Sequence, residues 1–320
     1  CETVFTNEIT ISVYDEFFVG SLSGNDTICF NTLPSQLSAP LASGGEGTYS
    51  YQWYKDGSII NGATSSTYQP LALTSTSNYS VEVSDLCGSL TSNSITVTVL
   101  PDFLVGSLLG SQTICFGDTP STLTSPAISG GEGTYSYQWY KDGSIINGAT
   151  SSTYQSGPLF ITSQFSLEIT DDCGQLQTNS VTITVYPDVI AGQITGGQTI
   201  CYNTVPSSLT FSSPSSGGQG THSYQWQSST DALVWSNENG ATGTTFSPSS
   251  LQETTHYRVR VTDSCETVFT NEITISVYDE FFIVSLSGNE TICFNTLPSQ
   301  LSAPLASGGE GTYSYQWYKD

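Results

Sequence analysis

SGGEGTYSYQWYKDGSIINGATSSTYQ, residues 43–69, returns letter for letter at residues 129–155. A diverged third copy, SGGQGTHSYQWQSSTDALVWSNENGATGTTF, occupies residues 216–246, and a fourth starts at Ser307 and runs to Asp320. Identity that extends to Ser, Gly and Gln positions marks recent tandem duplication, so the chain reads as a repeat protein. Within the stretch, Tyr49, Tyr51 and Trp53 share one face with the period of 2 expected of a half-buried strand, and Asp56-Gly57 supplies a hairpin turn.

Outward from this core the strand signals keep a regular order. SQLSAPL (35–41) precedes it; SII, STYQ and NYSVEVS follow, the last with Tyr79, Val81 and Val83 alternating inward. A closing strand reads SNSITVTVL (92–100), with equivalents TNSVTITVY (178–186), TNEITISVY (270–278) and TVFTNEITISVY near the N-terminus. No window holds a sustained 3.6-residue apolar period. Roughly seven short strands per repeat, with a Cys, a Trp further on and a second Cys beyond it, read as a two-sheet sandwich. The expected fold is all-β: tandem immunoglobulin-like antiparallel β-sandwich domains, set end to end. Their core residues are Trp53, Trp139, Trp226 and Trp317 with Tyr79 and Tyr257; Phe165 takes the Tyr position in the second repeat. Expected boundaries are a final strand of a preceding repeat over 1–14, repeats at 15–100, 101–186 and 187–278, and the first half of a further repeat over 279–320. The joints YDEFF, LPDFL and YPDVI carry no Gly/Ser spacer, so they read as semi-rigid, with Phe17, Phe18, Phe281 and Phe282 packed into them.

Eight cysteines alternate between two contexts. T-I-Cys occurs at Cys29, Cys115, Cys201 and Cys293; an acidic tripeptide, DLC, DDC or DSC, holds Cys87, Cys173 and Cys265, and Cys1 matches Cys265 through the shared CETVFTNEITISVYDEFF. The separations from first to second context are 58, 58 and 64 residues, and no C-x-x-C metal pair occurs. One disulfide per repeat is therefore expected, Cys29 with Cys87, Cys115 with Cys173 and Cys201 with Cys265, each stabilising by roughly 4 kcal/mol in the chain-entropy model. Cys1 and Cys293 are expected to lack partners. Such bonds place the chain in an oxidising, extracytoplasmic compartment.

Five Lys and Arg against 28 Asp and Glu give a net charge of -23. That sign repels nucleic acid and anionic membrane surfaces. No apolar run of 18 residues and no signal-peptide pattern is present, so no direct membrane insertion is expected. The chain opens and closes within repeats and lacks Met, which reads as a window on a longer polypeptide.

The pattern T-I-C, G-G-x-G-T-Y-S-Y-Q-W, N-G-A-T, Y-x-V-x-V-x-D and C resembles the immunoglobulin-like and PKD-like repeats of giant cell-surface adhesins of the Bacteroidota, including SprB-like adhesins of gliding motility. The resemblance covers the whole chain. It implies export by type IX secretion and a place in a cell-surface filament attached to the outer membrane. The chain departs from an immunoglobulin pattern in its second Cys, which lies eight residues after Tyr79 or Tyr257, so the bond is expected to staple one end of a sandwich instead of crossing behind the Trp.

Candidate chemistry is sparse. Only His222 and His256 exist, both in the third repeat, and no nucleophile-elbow, zincin, P-loop or dinucleotide motif occurs, so no enzyme is expected. Carboxylates gather by topology at one end of each sandwich: Asp102, Glu132, Asp171 and Asp172 in the second repeat, and Asp15, Glu16, Glu46 and Asp85 in the first. As hard oxygen ligands they could bind Ca2+ and stiffen a joint, against the plainer reading of a solvated acidic end. Tyr54 and Tyr140 face away from the Trp side and could stack on sugars, which makes a repeated carbohydrate or surface-polymer binding module the competing function. Thr27, in Asp26-Thr27-Ile28, is a candidate glycosylation acceptor. The reading that joins these features is the structural shaft of an extracellular adhesin filament. Its partners are neighbouring repeats of the same chain, surface glycans or other filament subunits; a cofactor is not expected beyond Ca2+ at the joints.

Overall fold

The structure, a computed structural model, describes residues 2–319. It folds as two compact units. The first holds the residues through Ser111 with Ser121–Gln155 and Ser163–Thr182; the second holds Gln112–Pro120, Ser156–Thr162 and the chain from Ile183 onward.

In the first unit the strands of the first repeat are β1 (Phe18–Val19), β2 (Asp26–Ile28), β3 (Leu37–Ser38), β4 (Ala42–Ser43), β5 (Ser50–Lys55), β6 (Ser58–Ile59), β7 (Thr67–Tyr68), β8 (Ser77–Asp85), β9 (Gly88–Thr91) and β10 (Ile95–Val99). One sheet runs β2-β10-β8-β5-β6, with β9 also on β8; the facing layer is made of the short pairs β1-β4 and β3-β7. The hairpin between β5 and β6 follows from Asp56-Gly57, both at positive φ (48° and 76°), as a two-residue primed turn requires. The burial of β8 alternates at every second residue, so Tyr79, Val81 and Val83 face inward. They meet Trp53 on β5, Ile95 and Val97 on β10, and Leu22, Leu37 and Leu73 from the facing layer. Trp53 is wholly buried, stacks on Tyr68 at 6.0 Å, and donates its indole N–H to the Ser65 carbonyl at 3.0 Å. One pairing departs from the antiparallel expectation: β2 lies parallel to β10, Asp26 opposite Val97 and Ile28 opposite Val99. The same unit carries Ser136–Lys141 along Ser163–Asp171 in the register of β5 on β8, with Trp139 opposite Leu167.

The second unit repeats the plan. Ser223–Ser229 pairs with Thr255–Thr262, which pairs with Ile273–Val277, and Gln198–Ile200 lies parallel to that last strand. Trp226, Tyr257, Val259, Val261 and Ile275 form its core with Ile194 and Leu209. The third repeat replaces the Asp-Gly turn by a longer loop in which Asp231 accepts the backbone N–H groups of Leu233 and Val234 at 2.8 and 2.9 Å.

Three expectations fail. Residues 2–14 form no strand, because a strand exists by its ladder and none of the strands that flank Ile273–Val277 is available to them. Trp317 is not a core residue: it is 46% exposed, since no counterpart of β8 covers it. Phe18, Phe281 and Phe282 are about as exposed, and only Phe17 and Phe281 find a ring, on Tyr49 and Tyr313 at 5.9 Å each. Cys1 lies outside the described residues.

Replacing Trp53 by Ala leaves a cavity under β8 and orphans the Ser65 carbonyl, so it should cost about 3–5 kcal/mol, whereas Trp317→Ala should cost less than about 1 kcal/mol. Amide hydrogen exchange in peptides from β8 and β10 reports the first, and in peptides from 306–319 the second.

Candidate functional site

Each repeat has two ends of distinct chemistry. At one end, T-I-Cys closes the strand that lies parallel to the last strand. Cys29 follows Ile28, whose carbonyl accepts the Leu100 N–H at 2.8 Å. The chain then turns through Asn31 at φ 59°, and Thr32 caps the Cys29 carbonyl with its hydroxyl at 2.7 Å. Asn203 and Thr204 do the same for Cys201, while Gly117 and the Asp118 N–H serve Cys115. Asn and Gly recur there because they are the residues that tolerate this left-handed conformation.

At the other end stands the D-x-Cys turn, built around its aspartate. In the first repeat Asp85 accepts the Cys87 and Gly88 N–H groups on Oδ1 at 2.7 and 3.2 Å, and the Glu46 N–H on Oδ2 at 2.8 Å. Asp171 binds Cys173, Gly174 and Glu132 in the same way, and Asp263 binds Cys265, Glu266 and Gln219. One carboxylate thus fixes both the cysteine turn and the Gly-Gly loop. The loop also takes the incoming chain: Gly45, Gly131 and Gly218 donate to the carbonyls of Asp15, Pro101 and Pro187 at 2.8–2.9 Å. The glycines are obligatory at these contacts. A Cβ on Gly131, at φ +64°, would lie 1.8 Å from Asp171 Oδ2, and one on Gly130 1.8 Å from the Asp102 carbonyl oxygen.

The disulfides join these ends across repeats. Cys29 is bonded to Cys173, in the first unit, and Cys115 to Cys265, in the second, with Cα separations of 5.3 and 5.5 Å. The expected pairs Cys29 with Cys87, Cys115 with Cys173 and Cys201 with Cys265 do not form. Cys29 sits level with the start of β8 and Cys87 just past its end, and ten residues of strand at ~3.4 Å each put them about 34 Å apart. A disulfide spans only about 4.4–6.8 Å between Cα atoms. Cys87, Cys201 and Cys293 are exposed free thiols.

The carboxylates at this end do come together, but not as metal ligands. Both Asp171 oxygens are taken by backbone N–H groups, and Asp102 contributes its carbonyl. Glu132 is raised above the ordinary glutamate range by its hydrogen bond to Asp172 and by the charges of Asp172 and Asp171. Among the described residues no group of three or more Asp, Glu, His or Cys side chains could hold a metal ion, so the Ca2+ site expected at Asp102, Glu132, Asp171 and Asp172 does not fit. Tyr54 and Tyr140 are half-buried and donate to Glu82 at 2.7 Å and Glu168 at 3.1 Å across the sheet, which leaves no free aromatic platform. Thr27 is exposed on β2, opposite Thr98. His222 and His256 bond Ser215 and Thr274, each within its own repeat and with no nucleophile beside it.

The aspartates act as caps where the residue types alone suggest ligands; the signal for capping is their fixed place two residues before each second cysteine. A second set of polar side chains, absent from the sequence-based candidates, ties the first strand region to the last. Asn93 accepts the Leu22 N–H and donates to the Leu22 carbonyl at 2.7 and 2.9 Å, as Asn179 does for Leu108 and Asn271 for Ile194. The recurrence of these amides before each closing strand is the only sequence signal for them.

The fold and its ends define a class: tandem immunoglobulin-like β-sandwich repeats, cross-linked from one repeat to the next. The chain belongs to the family described as "Domain of unknown function (DUF8696)", whose model matches residues 18–101, 104–187 and 190–279. Nothing among curated proteins matches it. Similar solved structures include extracellular domains 3–5 of Drosophila OTK (13% identity, 82% of this chain and 97% of that one, TM-score 0.32) and the three N-terminal domains of the bacteriophage RB49 Highly Immunogenic Outer Capsid protein (14%, 83% and 99%, TM-score 0.34). The eight N-terminal Ig domains of Down Syndrome Cell Adhesion Molecule align at 14% identity over 82% of this chain and 37% of that one, with a TM-score of 0.40.

Gly131→Ala should lower the stability of the second repeat by at least about 2 kcal/mol, and Gly133→Ala, with nothing within 4 Å of its Cβ, by about 1 kcal/mol; chemical denaturation of each variant measures the difference. Burial pushes the Asp263 carboxyl up, but the N–H groups of Gln219, Glu266 and Cys265 outweigh it and hold it below its ordinary 3.8. A depressed carboxylate contributes stability above its unfolded value and loses it as pH falls through the folded value. The melting temperature of the third repeat should therefore drop below about pH 4, and Asp263→Asn should melt lower at neutral pH with a shallower acid slope.

Proposed function

We propose that the chain is a load-bearing shaft segment of an extracellular filament. It serves adhesion or gliding motility, as in the Bacteroidota surface adhesins it resembles, with type IX secretion as the export route and the outer membrane as the site of attachment. The observation that carries this reading is that both disulfides link consecutive repeats and that their loops overlap. The elements held constant between copies, namely the buried Trp, the turn glycines, the capping aspartates and the cysteines, all serve the repeat and its ends. The bonds themselves suit an oxidising, extracellular compartment, and no helix of the described residues is long and apolar enough to cross a membrane. Neighbouring repeats are the immediate partners; glycans or other filament subunits would be met by parts of the array that carry a recognition surface.

The covalent topology bears directly on tension. With both bonds closed, the shortest path from Cys29 to Cys265 runs along the chain to Cys115 and across the second bond. The 150 residues which that bond spans then carry no load. A repeat that unfolds under force can lengthen the filament only within this limit, so the array yields little while it stays oxidised.

Single-molecule pulling from the two termini tests this reading. Reduction should add about 500 Å of contour length, from 150 residues at ~3.4 Å each. A contour length unchanged by reductant would contradict it.

A further inference from the structure

Residues 265–320 repeat residues 1–56 with three differences: Ile283 for Val19, Val284 for Gly20 and Glu290 for Asp26. Residues 279–320 are thus a second copy of the front half of the first repeat, 15–56. The two copies differ in what covers them. In the first, Leu22, Leu37 and Trp53 are 3%, 3% and 0% exposed, packed against Leu73, Tyr79, Val81, Ile95 and Val97 of the back half. In the second, the same side chains are Leu286, Leu301 and Trp317, and they are 57%, 56% and 46% exposed. Gly309 likewise lies near Phe281 alone, where its counterpart Gly45 meets the Asp85 carboxylate. The first repeat itself shows what fits this apolar face: a segment with the sequence of residues 57–100.

The free thiols point to the same segment. Cys29 and Cys115 each bond the D-x-Cys turn of the repeat that follows. Cys201 is the next T-I-Cys, exposed and free, and the repeat that follows it begins at 279. That repeat would receive its D-x-Cys turn from the back half it lacks, and in the segment 57–100 the turn carries Cys87, also exposed and free.

We infer that residues 279–320 are a docking face for residues 57–100 of a second copy of this chain, and that docking delivers Cys87 of that copy to Cys201. The inference builds on cross-repeat bonding but not on the load-bearing role. In the second copy, residues 57–100 pass from their own 15–56 to the near-identical 279–320, an exchange of the domain-swapping kind. Head-to-tail contact of this type leaves a free face and a free thiol at each end, so it propagates. The bond closes by exchange with a low-molecular-weight disulfide such as oxidised glutathione. The Cys201 thiolate attacks it and releases one glutathione thiol; the Cys87 thiolate then attacks the Cys201 sulfur of the mixed disulfide and releases the second. Two protein thiols are oxidised and one glutathione disulfide is reduced.

The test uses the 320-residue chain in a glutathione buffer with a synthetic peptide of residues 57–100, whose one cysteine is Cys87. The expected result is one covalent adduct at Cys201 and at least about tenfold slower hydrogen exchange in 281–318; Cys201→Ser should lose the adduct and keep the protection. An adduct at Cys293, which pairing within a repeat would give, or no protection of 281–318, would overturn the docking. The chain alone, oxidised at rising concentration, should form oligomers cross-linked between Cys201 and Cys87, absent in Cys87→Ser and Cys201→Ser. A chain that accepts the peptide but stays monomeric, or that links like cysteines, would overturn the second copy as the occupant. Either failure leaves the contour-length measurement as an independent test of the shaft.

Discussion

The nine residues of Ser77–Asp85 run from one end of the first repeat to the other, and a strand's rise of ~3.4 Å per residue fixes how far apart those ends stand. T-I-Cys is tied to one end by its register with the last strand, and D-x-Cys to the other by the turn after the long strand. No side-chain motion closes a gap of about 34 Å. The cysteines of a repeat can therefore serve only its neighbours, and the bonding pattern, the overlapping loops and the free thiols of Cys87 and Cys201 all follow from that separation.

The aspartate before each second cysteine converts this geometry into a defined joint. It satisfies two N–H groups of the cysteine turn and one of the Gly-Gly loop, and the same loop donates to the carbonyl of the entering chain. Hydrogen bonds to a charged acceptor are the stronger kind. Turn, loop and entering segment are held by one side chain, so the thiol is presented in a fixed place before any bond forms. The third repeat keeps the arrangement with Gln219 for the glutamate because only the backbone N–H of that position takes part.

Much of this is legible in the sequence. The alternation of Tyr79, Val81 and Val83, the Asp56-Gly57 turn and the recurrence of Trp53 specify the strands, the hairpin and the core. The cysteine partners are not legible, for a reason peculiar to repeats. Shifting the second cysteine by one period turns a separation of 58 residues into 144, and each cysteine context is the same in every copy, so spacing cannot distinguish bonding within a repeat from bonding between repeats. Asp171 looks like a ligand because its backbone donors are invisible in the sequence. Asn93 looks like loop composition because its partner, Leu22, lies 71 residues away. Trp317 shares its local sequence with Trp53, and the difference in burial comes entirely from residues that lie elsewhere.

The most direct measurement is peptide mapping by mass spectrometry of the oxidised chain, digested without reduction. The account predicts cross-linked peptides pairing Cys29 with Cys173 and Cys115 with Cys265. Peptides pairing Cys29 with Cys87, or Cys115 with Cys173, would contradict it.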